Sequence, residues 1–229
     1  MRYQLKKNYV WSSRIAYSVG LMASDGCLQS DGRHLDLTSN DIIQLQNFSH
    51  ALKKELRIGT KRSSSGAVSS RVQFSDVAYY DFLIQAGLTP KKSKTLGALK
   101  IPDQFYPDFL RGIFDGDGTT YGYNDPRWPT SFQFYIGFTS ASKEFLDYVK
   151  IKNSILCGTL GGSFRVSKSA IILAYGKNDS KILYDAMYKN ANNLYLPRKK
   201  NKLDDFIIRD KNATIGRQAR VVKLVNTSA

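Results

Sequence analysis

This 229-residue chain is poor in the residues from which zinc sites and disulfide frameworks are built, with two cysteines and two histidines in all. Cys27 and Cys157 are isolated from each other and from any histidine at ligand spacing, which argues against both kinds of site. Both read as small core residues. His34 and His50 lack a ligand partner, and His50 falls within an amphipathic stretch that gives it a structural or exposed place. No run of about 18 apolar residues exists for a membrane span, and the opening MRYQLKKNYVWSS has no apolar core behind its charges. The expected location is the cytosol, or an organellar matrix if the gene is organellar. Acid is scarce as well: 19 Asp and Glu face 34 Lys and Arg, a formal charge of +15. Such an excess is drawn to polyanions, and nucleic acid is a better expectation than an anionic membrane.

What the chain does have is one pattern in two copies. SVGLMASDG at 18–26 and LRGIFDGDG at 110–118 are apolar helical runs with small residues inside, each ending in an acid and a glycine. Gly20 and Ser24 stand four apart, as do Gly112 and Gly116, so each helix presents a smooth strip on which a partner backbone can approach closely. Pairing the strips brings both helix C-termini together, and with them Asp25 and Asp117. Helix C-termini carry partial negative charge, so two carboxylates placed there repel unless a cation lies between them. Hard oxygen ligands of this kind suit Mg²⁺. A calcium loop starting at Asp115 fails, because Thr120 and Pro126 stand where its glycine and glutamate belong.

The elements around the motifs repeat too. Periodicity predicts a helix from Ser12 to Asp25, a hairpin around Asp31-Gly32, a helix from Asp41 to Leu56, a hairpin from Arg57 to Phe74 with a flexible Ser63–Gly66 tip, and a helix from Val77 to Leu88. The second half gives the same order: a helix from Phe105 to Gly116, strands in TTYGY and TSFQFYIGFTS, a helix from Lys143 to Ile155, a hairpin in GTLGGSFRVS and SAIILAYG, and a helix from Asp179 to Tyr188. This is the signature of a tandem duplication.

With their glycines and closing acids, the two segments resemble the LAGLIDADG motif of homing endonucleases, in the single-chain form that carries two copies. The resemblance spans roughly residues 10 to 208; LRGIFDGDG is the closer match and SVGLMASDG the looser. It implies an α+β fold of two pseudo-symmetric αββαββα lobes, 10–100 and 101–208, with saddle-shaped antiparallel sheets laid in the DNA major groove. It makes Asp25 and Asp117 the metal-binding catalytic acids, with Ser24 and Gly116 as further metal positions. Lys92 and Lys199 match a basic position beside the active site. Ala23 replaces an earlier acid that the second motif keeps as Asp115, a departure expected to be tolerated.

The activity implied is a divalent-metal-dependent double-strand break by a monomer, with Mg²⁺ as cofactor and Mn²⁺ or Ca²⁺ able to occupy the site. Two half-sites of ~10 base pairs each give a target of about 20. An intron-encoded origin is part of the same picture. The alternatives are an intron RNA maturase and a DNA-binding regulator without nuclease activity, and both have less use for two paired acids.

The strands point the same way on their own. Arg71 and Gln73 alternate with Val72 and Phe74, and Gln133 alternates with Phe132 and Phe134, which gives sheets with one apolar and one polar face. In a basic protein such faces suit base edges and phosphates, so Arg33, Arg71, Gln73, Gln133 and Arg165 are the expected DNA contacts. Residues 209–229 form a basic tail whose periodicity suggests no packed element.

Overall fold

The computed structural model describes residues 8–63, 66–167, 170–191 and 193–226. Ser64 and Ser65 of the expected hairpin tip, and the last three residues of the tail, lie outside the described residues.

The chain opens with α1 (Ser13–Ser24), capped by Ser12 through a hydrogen bond from Ile15 N. Then come β1 (Gly26–Leu28), β2 (His34–Ser39), α2 (Ile42–Leu52), β3 (Ile58–Arg62), β4 (Val68–Ser75) and α3 (Val77–Ala86). Asp76 caps α3 by accepting from Tyr79 N, and Gly87, at φ 103°, ends it in the left-handed conformation that costs glycine least. The second half follows with α4 (Tyr106–Asp117), β5 (Gly118–Asp125), β6 (Trp128–Ser140), α5 (Lys143–Lys152), β7 (Ser163–Ser167), β8 (Ala170–Tyr175) and α6 (Lys177–Tyr188). A final helix, α7, runs from Pro197 to Asn226.

Each half is an αββαββα unit with an antiparallel four-stranded sheet. The strand orders, β1-β2-β4-β3 and β5-β6-β8-β7, are the same arrangement twice. Alternation decides what each face does. In the first sheet Leu35, Leu37, Val72 and Phe74 face inward, where Phe48 of α2 meets Phe74 at 6.0 Å and Tyr79 of α3 at 6.3 Å between ring centres. In the second, Phe134, Ile136, Phe138 and Leu173 are fully buried together with Phe145, Val149, Leu183 and Met187. Between the lobes lie α1 and α4. From Ile15 to Ala23 every residue of α1 is buried, as expected of a helix with lobes on both sides.

Two expectations need correction. Cys27 is exposed: strand pairing sets it opposite Asp36 on the outward face of the first sheet, away from the core. The boundary expected at residue 208 falls inside α7, which continues as one helix. Leu203, Phe206 and Asp210 form its buried stripe, and Phe206 packs on Phe132 and Phe134 at 5.4 and 5.8 Å. A hydropathy pattern misses that stripe because its third member is a carboxylate, paired with Lys177 and Lys181 of α6.

Candidate active site

The seam between α1 and α4 is built from the small residues. A Cβ added to Gly20 would stand 2.3 Å from Phe109 O and 2.8 Å from Gly112 Cα, and one added to Gly112 would stand 2.3 Å from Tyr17 O. The two backbones therefore touch, which side chains larger than hydrogen prevent. One turn further on, a Cβ on Gly116 would collide with Ser24 Oγ and lie 2.9 Å from Asp25 Oδ2. The structure thus brings Gly20, Ser24, Asp25, Gly112 and Gly116 into one cluster, with Asp117 at the end of α4 beside it.

The two carboxylates feel one another. Loss of hydration is the largest influence on Asp117, and the charge of Asp25 adds to it, so the carboxyl is pushed up to about 6 although the residue remains solvent-accessible. Asp25 is also raised by burial, while Gln44, Lys199 and Lys92 pull the other way. Gln44 Nε2 donates to Asp25 Oδ2 at 2.6 Å, and the Gln44 carbonyl oxygen accepts from Ser39 Oγ. Sequence reasoning missed Gln44. Its signal is an amide on the apolar stripe of α2, where it is 2% exposed while Ile42 stands in solvent.

Lys92 and Lys199 flank the acids differently. Lys199 Nζ donates to Phe114 O, Gly116 O and Gly118 O at 2.7 to 2.8 Å, which engages all three of its N–H bonds in capping the end of α4. Burial lowers its pKa to about 8, against the pull of nearby carboxylates. The Lys92 ammonium makes a single long hydrogen bond among the described residues, to Ser24 O at 3.4 Å. With Asp117, Ser24 and Thr139 it lines a cleft of about 240 Å³.

The frame that holds this seam together was not visible as a site. Asp115, fully buried, accepts from Tyr17 OH of the other lobe and from Leu196 N, both at 2.8 Å. Arg111 donates to Leu194 O, Met187 O and Asp108 Oδ1, each at 2.6 Å. Across the lobes, Asn47 Nδ2 reaches Tyr195 O and Arg198 pairs with Asp41.

Comparison with known proteins gives this arrangement a family context. Residues 105–151, which include the second motif, match the model of the LAGLIDADG-like domain. The structure is similar to the homing endonuclease I-WcaI bound to its DNA recognition sequence, with a TM-score of 0.61 at 15% identity over 86% of this chain and 89% of that one. It is equally similar to the LAGLIDADG meganuclease I-AabMI bound to uncleaved DNA, at 0.61 and 13% over 88% and 92%. The chain has the LAGLIDADG fold, in its single-chain, two-lobe form. A further likeness is to the N-terminal LAGLIDADG domain of DUF199/WhiA, with a TM-score of 0.52 at 15% identity over 78% and 83% of the two chains. No curated protein matches the sequence.

The residues expected to contact DNA stand elsewhere, on the outward sheet faces and at a turn. Arg71 and Gln73 stand on the outward face of β4; Arg71 Nη1 reaches Asp36 Oδ2 at 3.3 Å, and Lys61 Nζ lies 3.9 Å from the same carboxylate. Arg33 is exposed at the β1–β2 turn beside Asp31. Gln133 and Arg165 lie on the outward face of the second sheet, with Gln133 Nε2 bonded to Ser131 Oγ and the Arg165 guanidinium 5.2 Å from the Tyr135 ring centre. The five residues are thus distributed over both lobes, none of them at the acidic cluster.

The donor set at that cluster fits a hard divalent cation. Two carboxylates above their ordinary pKa end the adjoining helices, the charge of one raising the other, with the carbonyls of Ser24 and Gly116 next to them in the chain, and positive charge there would relieve both. Among the described residues no three His, Cys, Asp or Glu side chains form a metal-binding group.

Proposed function

We propose that this chain is a site-specific DNA endonuclease that needs a divalent cation, Mg²⁺ first and Mn²⁺ or Ca²⁺ as substitutes. The observation that carries the reading is the juxtaposition of Asp25 and Asp117 at the adjoining ends of α1 and α4. Two acids that repel phosphate weaken a binder and equip a nuclease. Because the same fold occurs in DUF199/WhiA, the fold alone does not carry it.

Asp25 and Asp117 would hold the cation, with Ser24 and Gly116 carbonyls near by. When bound, it would supply Lewis acidity toward a phosphodiester oxygen and lower the pKa of a water. The chain's own groups do the rest. Gln44 fixes the Asp25 carboxylate, and Lys199 ties down the carbonyls that precede and follow Asp117. Lys92, with donors to spare, faces the cleft and offers charge to the phosphate. The outward sheet faces bind one half-site each, in a duplex of about 20 base pairs.

The reading is tested by selecting cleaved ends from a library of duplexes with the full chain in Mg²⁺. Recovery of one long sequence, cut in both strands and spared by EDTA, is the expected result. Site-specific binding without cleavage in Mg²⁺ or Mn²⁺ would turn the reading into that of a regulator, and a preference for structured RNA into that of a maturase.

A further inference from the structure

The two outward sheet faces differ in kind. On the N-terminal sheet the strand register places Asp36, Thr38, Lys61, Arg71 and Gln73 together, a set of charges and hydrogen-bonding groups. On the C-terminal sheet Tyr121 pairs with Tyr135 and Tyr123 with Gln133, and the rings form a row. Tyr121 and Tyr123 lie 5.7 Å apart between ring centres, and Tyr123 and Tyr135 6.2 Å apart at only 8°. Beyond the row the face is methyl-bearing: a Cβ on Gly137 would meet Thr119 Cγ2 at 2.9 Å and Ile172 Cγ2 at 3.0 Å. None of this serves the core, which lies on the opposite face with Phe134, Ile136 and Phe138. Tyr121 is 64% exposed.

We propose that this tyrosine and methyl face reads an A·T-rich half-site through the C5-methyl groups of thymine, while the N-terminal face reads its half-site by hydrogen bonds. The target is then asymmetric in composition. The inference rests on the DNA-binding reading above and adds to it which base pairs one lobe prefers. Of the four bases only thymine presents a methyl group in the major groove, and an apolar side chain that covers it removes both from water. Gln133, opposite Tyr123, carries the amide that suits adenine, the partner of that thymine. Arg165 lies against the Tyr135 ring at the far side of the row, a cation held for phosphate.

The test starts with the full chain and a duplex pool randomised over about 20 base pairs, selected for binding in Ca²⁺. One half of the recovered sequences should be rich in A·T, and the Tyr121→Ser chain should lose that enrichment in that half alone. Thymines of the same half are then replaced one at a time by uracil, which deletes only the methyl group. Affinity should fall about fourfold per critical methyl, the equivalent of ~0.8 kcal/mol, with no effect in the other half. Tyr121→Phe should keep the sensitivity. The substitution is made in the DNA, so the result does not depend on how a variant folds. Selection of duplexes whose binding ignores uracil in both halves overturns the inference and leaves the DNA-binding reading standing. Failure to enrich any duplex, or preference for single strands, overturns both.

Discussion

Gly20 and Gly112 meet backbone to backbone: a Cβ on the first would lie 2.8 Å from the α-carbon of the second, and one on the second 2.9 Å from the α-carbon of the first. Neither approach can be relieved by turning a side chain, since the crowded atoms are main chain. Gly20→Ala should therefore force α1 and α4 apart and cost about 1–3 kcal/mol. Thermal denaturation should show a clear drop in Tm, with cleavage falling further than stability because Asp25 and Asp117 separate. Gly59→Ala, where nothing lies within 4 Å, is the control and should leave Tm nearly unchanged.

The acids at the end of that seam make stability and activity oppose one another. The Asp117 pKa rises from 3.8 to about 6 on folding, so the folded chain binds the proton more tightly than the unfolded one. Its stabilising contribution is complete below the unfolded pKa and is lost as pH rises through about 6. Without divalent cation, Asp117→Asn should flatten this slope and raise Tm at neutral pH relative to the parent. Cleavage needs the ionised form and the cation competes with the proton for it, so in limiting Mg²⁺ the parent's rate should climb as pH rises, and the climb should move to lower pH as Mg²⁺ is increased. Asp117→Asn and Asp25→Asn should each lose cleavage by orders of magnitude while still binding duplex. An Asp25→Asn chain that cuts both strands normally would remove the paired acids from the mechanism.

Much of this was legible because the duplication states it twice. The glycines at 20, 112 and 116 have a single geometric use, close approach, and the closing acids follow from where the helices end. The order of elements could be read from hydrophobic spacing, since most strands and helices bury aliphatic or aromatic residues on one side. What stayed hidden is polar and buried. Gln44, Asp115, Arg111 and Asp210 occupy core positions with charges or amides, and only the three-dimensional arrangement supplies the partners that make those positions tolerable. A hydropathy pattern sees no reason to bury any of them, which is why the part of α7 from residue 209 onward reads as a tail.

That hidden helix changes what truncation should do. Asp210, 2% exposed, pairs with Lys177, whose Nζ also donates to Phe132 O, and with Lys181. Burial tends to raise its carboxyl, yet the hydrogen bonds and charges of the two lysines win and hold it below the usual range. Deleting 209–229 should leave Lys177 with one partner fewer, open the end of the core beside Phe206, and lower Tm measurably. Asp210→Asn should reproduce part of the loss at neutral pH. The difference between it and the parent should narrow as pH falls through the parent's lowered carboxylate pKa.

The last prediction concerns Arg111, a charge 2% exposed that ties α4 to the segment leading into α7. Its guanidinium satisfies Leu194 O, Met187 O and Asp108, and its face lies 5.5 Å from the Tyr17 ring centre. Arg111→Ala strands two carbonyls and a nearly buried carboxylate, and breaking one side of such a pair costs about 3–5 kcal/mol. Arg111→Lys should rescue little, because an ammonium cannot span three acceptors that a planar fork reaches together. Asp108→Asn keeps an acceptor and should cost less than Arg111→Ala. The Arg111→Met, Asp108→Leu double variant removes both charges at once, so urea denaturation should find it less destabilised than the sum of the losses measured for Arg111→Met and Asp108→Leu made singly. Strict additivity would mean that the two residues act independently and that the backbone carbonyls alone fix Arg111.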